Sequence, residues 1–383
     1  KGPLGSYIEK NIRNQRQLGV IISLLNTYKV FTSPEVTNKQ YDKFITAITG
    51  KRDILVKLTS IQLASTMLDN IDDSICDRLR SVFKKSYETK FNFGGLNSTK
   101  KTMSSWTHRM NGRPKWLISL LEASMTKGPW SPILKDMGIP NLDGETAPFM
   151  GNISVIQEKG FKARVVAVPN SGIQIAFQPL HKALSRVLTN VRQDCTFDQE
   201  KGVNWASSEL QKGKTVHAVD LSSATDNFPL HFQLEVLKFL DYPWTQQFKQ
   251  AAEGPWKLYN GNIVQYSKGQ PMGMFGSFAL FALSHHILLQ GIEANLGVAN
   301  TYRILGDDIV ISDDQVHNAY IKYMQVLEVP ISHDKCLDSD IFTEFAGKLI
   351  TAKGVIPAVN PPSHNMSILN EQQYLNYVKV TGN

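Results

Sequence analysis

Apolar and polar positions alternate with two different rhythms along this chain. From Tyr7 to about Trp130, apolar runs such as Leu18 to Leu25 and Ile54 to Leu68 are separated by polar turns, which predicts helices. From Gly151 onward short apolar runs are interleaved with longer amphipathic ones, which predicts strands alternating with helices and an α+β fold. Phe161 to Val168 reads as a strand carrying Lys162 and Arg164, followed after Pro169 by a helix through Leu188. Val216 to Val219 is a short strand ending at Asp220. Pro229 suits the first turn of a helix reaching about Leu240, where its missing N–H is not needed. Met272 to Ile292 is the longest apolar stretch, and Ser277, Ser284, His285 and His286 interrupt it, so it predicts a buried helix and no membrane span. Tyr302 to Leu305 and Ile309 to Ser312 flank Gly306-Asp307-Asp308, a predicted hairpin with acids at its tip.

Composition narrows the class. With 383 residues the chain exceeds the size at which one core keeps growing, so two or three subdomains are expected. An apolar share of 42% fills such a core, and a charged share of 20% without repeats excludes a disordered chain. The 41 Lys and Arg outweigh the 34 Asp and Glu by +7, which favours a polyanionic partner or an anionic substrate without choosing between them. Cys76, Cys195 and Cys336 are far apart and lack metal-ligand spacing, so they read as thiols of a reducing compartment. Residues 1–6 read as the remnant of a cleaved tag. Phe91 to Pro114, with Lys100, Lys101, His108, Arg109 and Arg113, is either a basic surface loop or a loop along a nucleic-acid path.

The candidate chemistry is acidic. Adjacent aspartates at a tight turn repel each other, a cost that a divalent cation between them would remove. A lone Gly-Asp-Asp is an ordinary turn, but the apolar flanks of this one place it at the end of a buried hairpin, and strand-end Asp220 supplies a further carboxylate. Such an all-oxygen set suits Mg²⁺ or Mn²⁺, and two such ions would activate an attacking hydroxyl and stabilise a leaving pyrophosphate. Asp226 is either part of this site or a helix cap. Lys162 and Arg164, two apart on a strand, share a face and with Lys159 make either a triphosphate clamp or a charged edge. Gly269 and Gly273, with Pro271 between, form a loop where backbone can approach a ligand closely. His285 and His286 lie in an apolar helix, where paired histidines are more often core groups with satisfied hydrogen bonds, and they stay outside the site.

These elements, taken in order, carry a resemblance. Asp220-Leu-Ser-Ser-Ala-Thr-Asp226 resembles motif A of RNA-virus polymerases, and Gly306-Asp307-Asp308 within Tyr-Arg-Ile-Leu-Gly-Asp-Asp-Ile-Val-Ile resembles motif C. Gly269-Gln-Pro-Met-Gly273, with Ser277 and His285-His286 downstream, looks like motif B. Lys159-Gly-Phe-Lys162-Ala-Arg164 is similar to motif F, Ile331-Ser-His-Asp-Lys335 to motif D and Glu344-Phe-Ala-Gly-Lys348 to motif E. The chain thus resembles viral RNA-dependent RNA polymerases over about Lys159 to Ile350. The wording of motifs A and B and the histidine pair look most like the mitovirus, narnavirus and ourmiavirus group, although Gly276-Ser277-Phe278 and Gly347-Lys348 depart from that group's usual Ser-Ser-Trp and Lys-Arg.

The resemblance implies a right-hand polymerase with an antiparallel palm sheet packed on helices: fingers over 7–197, palm over 198–339 with inserted finger elements, and motif E with the start of a short thumb over 340–383. It implies RNA synthesis from nucleoside triphosphates on an RNA template, replicating a positive-strand genome, with two Mg²⁺ or Mn²⁺ ions on Asp220, Asp307 and Asp308. Lys335 would be the general acid. Lys159, Lys162, Arg164, Asp226 and Ser277 would bind the nucleotide, and Gly269 and Gly273 would handle template and nascent pair. Many relatives pair the Asp226 equivalent with an asparagine eight residues after the motif B glycine to sense the ribose hydroxyl. Phe281 stands there in this chain, leaving Ser277 or Asn227 as the partner. Two other readings stay open, a reverse transcriptase and a non-catalytic RNA-binding relic. The expected site of action is a host mitochondrion if the mitovirus likeness holds, and otherwise the cytoplasm.

Overall fold

Helices dominate the first described segments, as the run spacing predicts. The structure is a computed structural model that describes residues 14–26, 37–50, 54–87, 150–158, 162–169, 171–258 and 260–358. Four helices come first: α1 (Gln15–Leu25), α2 (Asn38–Thr49), α3 (Ile54–Asn70) and α4 (Asp73–Tyr87). The start of α2 is fixed by a capping box, in which the Thr37 hydroxyl accepts from the Gln40 N–H and the Gln40 side chain accepts from the Thr37 N–H. Lys159 and the basic segment 91–114 lie outside the described residues.

Two strands follow, β1 (Gly151–Glu158) and β2 (Lys162–Pro169), then helices α5 (Ser171–Leu188) and α6 (Gln199–Gln211). Next come β3 (Val216–Asp220), α7 (Ala224–Asn227), α8 (Leu230–Phe239), α9 (Thr245–Ala252), β4 (Pro255–Lys257) and β5 (Ile263–Gln265). The long helix α10 (Ser277–Leu296) precedes the hairpin β6 (Tyr302–Leu305) and β7 (Asp308–Ile311) and then α11 (Asp314–Val326). A 3₁₀ turn (His333–Lys335) leads into β8 (Leu337–Ser339), β9 (Phe342–Phe345), β10 (Lys348–Thr351) and β11 (Gly354–Val355). Pro229 stands at the N-cap, one residue ahead of α8 and of the first-turn position expected from its missing N–H. No helix among the described residues is long and apolar enough to cross a membrane.

The central sheet has the order β6-β7-β3-β8 and is antiparallel throughout. Both of its faces are covered, and the period of two along each strand divides its side chains cleanly. Val219, Ile309 and Ile311 join the main core with α10, while Val216, Ala218 and Val310 join a smaller core with α6, Phe345 and Ile350. Burial on both faces is why these strands read as continuous apolar runs. Helix α10 is buried almost all round, and Gly291 lets it close on α3, where a Cβ would fall 2.4 Å from the Met67 sulfur. A second sheet, β2-β1-β4-β5, is built on a hairpin that pairs Gly151 with Pro169 through to Glu158 with Lys162. Residues 193–195, placed with the fingers by sequence, hydrogen-bond the edge of the central sheet, Cys195 N–H to Ile304 carbonyl at 2.7 Å.

Candidate active site

The acidic site forms where three strand ends meet. Asp220 is the last residue of β3, and its register partner across the sheet is Asp308, the first residue of β7. Asp307 lies in the turn between β6 and β7, preceded by Gly306 at φ +66°. Only glycine fits there, because the backbone is left-handed and a Cβ would fall 2.6 Å from the Phe278 ring. By strand alternation Asp220 and Asp308 face the same side as Ala218 and Val310, toward β9. The Asp308 carboxylate accepts the Ala346 N–H at 2.6 Å, at a β9–β10 turn whose residues Ala346 and Gly347 both have positive φ.

Charge is concentrated here. Burial, then repulsion from Asp307, Glu344 and Asp220, pushes Asp308 up to about 6 against the pull of the Ala346 bond. Burial and Asp220 likewise raise Asp307, while Arg164 and Lys335 oppose the rise. The Lys335 ammonium lies 3.0 Å from Asp220 Oδ2, and the 3₁₀ turn carrying it hangs from β3 through the Ser332 N–H to the Asp220 carbonyl at 2.8 Å. Asp307 and Asp308, both raised by burial, and Asp220, paired with Lys335, form an oxygen-only donor set short of positive charge, which fits a hard divalent cation.

The motif B loop docks on the strand and turn that present the other site residues. Ala167 of β2 donates to the Met272 carbonyl at 3.0 Å, and Gly273, at φ +116°, passes so close that a Cβ would lie 2.3 Å from the Ala167 carbonyl oxygen. Gly269 donates to the Asp226 carbonyl at 2.9 Å, and a Cβ on it would lie 2.2 Å from the Thr225 oxygen. The close approach that these glycines permit is therefore to the chain itself. Gln174 completes the clamp, donating to the Gly273 carbonyl at 2.7 Å and accepting from the Phe275 N–H at 2.8 Å. Nothing in the sequence marks Gln174, one amide in an amphipathic helix. The backbone of Lys162 pairs with Glu158 at the open end of the β1–β2 hairpin.

Asp226 is not a cap. It sits inside α7, and α8 begins at Pro229 without a side-chain cap. Its carboxyl is buried, Oδ1 has no partner among the described residues, and desolvation pushes it up to about 7. The Ser277 hydroxyl and the Tyr266 hydroxyl are also buried without a hydrogen bond among the described residues, and the charge of Asp226 adds to the burial that raises the Tyr266 phenol. The Asn227 amide donates to the Ser222 and Ser223 carbonyls. Phe281, at the expected asparagine position, packs edge-on against Phe228 at 5.4 Å.

The histidine pair is in the core with every ring nitrogen bonded, yet it reaches the site. His285 lies with Nδ1 3.1 Å from the Gly306 carbonyl and Nε2 2.8 Å from the Tyr320 hydroxyl. Burial drives its pKa down to about 3, so the neutral ring donates through Nδ1 and accepts from Tyr320. His286 bridges Asp194, at 3.0 Å, and the Tyr302 hydroxyl, at 3.1 Å. The two rings fasten α10 to the Gly306 turn and to the sheet edge.

Known proteins are similar to parts of this sequence. The profile of the Mitovirus RNA-dependent RNA polymerase family matches residues 132–373. The RNA-directed RNA polymerase of Cryphonectria parasitica mitovirus 1 is 39% identical over 220 residues, 54% of this chain and 26% of that protein, so the chain spans about a quarter of that relative. Two uncharacterized mitochondrial proteins of Arabidopsis thaliana are 36% and 31% identical over 157 and 169 residues, covering 38% and 40% of this chain and 75% and 65% of theirs. Among solved structures, the RNA-dependent RNA polymerase of a human picorbirnavirus superposes with a TM-score of 0.47 at 14% identity, covering 94% of this chain and 82% of that one. With the family profile spanning well over half of its length, the chain belongs to the mitovirus RNA-dependent RNA polymerase family.

Proposed function

We propose that this chain carries the catalytic centre of an RNA-dependent RNA polymerase that copies a positive-strand viral genome in a host mitochondrion. The observation that carries the reading is the meeting of Asp220, Asp307 and Asp308 at one sheet end, with Lys335 and Arg164 as counter-charges. Residues 7–197 act as fingers, 198–339 as palm, and the strands after 340 begin the thumb. Asp220, Asp307 and the part of Asp308 not taken by Ala346 would hold two Mg²⁺ or Mn²⁺ ions, which when bound supply charge stabilisation to the attacking 3′-hydroxyl and the leaving pyrophosphate. Arg164, with Lys162 on the same strand and Lys159 before it, holds the triphosphate in line. Lys335 delivers a proton to the pyrophosphate oxygen as it leaves. The Gly269–Gly273 loop, held rigid by Gln174 and β2, supports template and nascent pair. Asp226 and Ser277, each with a buried oxygen lacking a partner among the described residues, sense the ribose hydroxyl.

A reverse transcriptase is disfavoured by Leu305 in the place where that family has an aromatic residue before the paired acids, and a non-catalytic relic by the presence of all three carboxylates. The deciding experiment is RNA synthesis on a short RNA template with Mg²⁺ or Mn²⁺, comparing the chain with Asp307→Ala. Extension with ribonucleotides that the substitution abolishes, in a protein that still folds, is expected. Undiminished extension by Asp307→Ala would remove the metal assignment, and no extension by the parent would revive the relic.

A further inference from the structure

We propose that His217, His317 and Asp338 form a second cation site, of the Zn²⁺ class, on the face of the central sheet opposite the acidic site. His217 and Asp220 are both on β3, but alternation sends His217 to the side of Val219, toward α11. Its cross-strand neighbour on β8 is Asp338. His217 Nδ1 lies 2.7 Å from Asp338 Oδ1, and its Nε2 lies 2.9 Å from Asp314 Oδ1 at the start of α11. One turn further along α11, the His317 ring stacks on His217 with centroids 4.0 Å apart and planes 4° from parallel. One ligand atom from each of His217, His317 and Asp338 falls within 4.8 Å of the others.

The pattern of donors and acceptors asks for a positive charge in this pocket. Both nitrogens of His217 face carboxylate oxygens. With the neutral ring donating through Nε2 to Asp314, the Nδ1 lone pair points at Asp338, a repulsive contact unless a proton lies between them or a cation beside them is ligated by both atoms. A proton would satisfy that contact alone. A cation would use the third member as well: a His317 nitrogen lies within 4.8 Å of the other two donor atoms, and the ring would turn out of its stack on His217 to aim its in-plane lone pair at the ion. Two imidazoles and a carboxylate are a mixed nitrogen and oxygen set that suits Zn²⁺ and neighbouring transition ions, unlike the oxygen-only set on the other face. Asp314 then plays the supporting part, fixing tautomer and orientation through the far ring nitrogen. A cation here would join β3, β8 and α11 at one point. Because β8 follows directly on the turn carrying Lys335, it would also anchor that turn.

The test is a titration of the metal-stripped chain with Zn²⁺ and with Co²⁺ in excess Mg²⁺, which keeps the acidic site engaged. One equivalent of Zn²⁺ that Mg²⁺ does not displace is expected, with a visible Co²⁺ absorption of the low-coordinate, imidazole-bound kind. His317→Ala and Asp338→Asn, at partly exposed or exposed positions, should weaken binding by more than about tenfold and erase the absorption, and Asp314→Asn should weaken it about tenfold while keeping the absorption. Circular dichroism confirms that each variant is folded. Zn²⁺ binding that Mg²⁺ competes away, or that is unchanged in His317→Ala, would overturn the assignment and leave a protonated His217 held between two carboxylates.

Discussion

Replacing Asp226 by asparagine separates the cost of burying this carboxyl from its use. The residue is 7% exposed, its Oδ1 lacks a partner among the described residues, and it titrates at about 7 against an ordinary 3.8. The folded chain therefore keeps a proton at pH values where the unfolded chain has released it. Its stabilising contribution is complete below about pH 4, falls as the pH rises toward 7, and is lost above that. At about 1.4 kcal/mol per pH unit the whole fall is about 4 kcal/mol, of which about 2.5 kcal/mol lies between pH 5 and pH 8. Asparagine has the same shape and does not ionise, so Asp226→Asn should be the more stable protein at pH 8, with an advantage that grows by about 2.5 kcal/mol from pH 5. Urea unfolding of both proteins across this range measures it. Parallel stability profiles would refute the reasoning, because they would mean that the carboxyl is solvated or partnered when folded. Retaining a carboxyl at such a position makes sense if its oxygen meets a substrate hydroxyl. Accordingly, Asp226→Ala should narrow the ratio of kcat/KM for ribonucleotides over deoxyribonucleotides at least about tenfold. A folded variant with the wild-type ratio would move sugar selection to Ser277 or the motif B loop.

Arg164→Ala should raise the nucleotide KM or lower kcat by about 1.5 to 3 kcal/mol, the range for a lost charged hydrogen bond, and should let Asp307 rise further, moving the acid limb of the activity profile to higher pH; a change in RNA affinity alone would place Arg164 on the template path. Lys335→Leu should slow single-turnover chemistry and alter the alkaline limb of the rate profile, whereas an unchanged profile would confine the lysine to its pairing with Asp220. His285→Phe leaves the Gly306 carbonyl and the Tyr320 hydroxyl unpartnered in the core. It should cost about 1 to 3 kcal/mol of stability and lower kcat with little change in nucleotide KM; an unchanged kcat in a destabilised protein would make the ring a packing group only.

What depends on neighbours along the chain was legible in the order of residues. Short apolar runs ending in acids placed Asp220 at a strand end and Asp307 and Asp308 at a hairpin. Pro229 marked the start of a helix, and the order of short motifs identified the family. Tertiary structure decided everything that depends on which surfaces meet. Nothing local says that Asp220 and Asp308 are register partners, that Ala346 takes up the Asp308 carboxylate, or that His217 turns toward His317 and Asp338 while Asp220, three residues on, turns the other way. Asp226 read equally well as a cap or a site residue, because its character comes from desolvation by distant segments rather than from its own position. The glycines of motif B were legible as a place of close approach, but only the fold shows that they admit the backbone of β2 and of the motif A turn. Periodicity encodes which side of a strand or helix is apolar. Whether a buried polar atom is satisfied depends on groups brought together across long sequence separations, and that is where the chemistry of this site was settled.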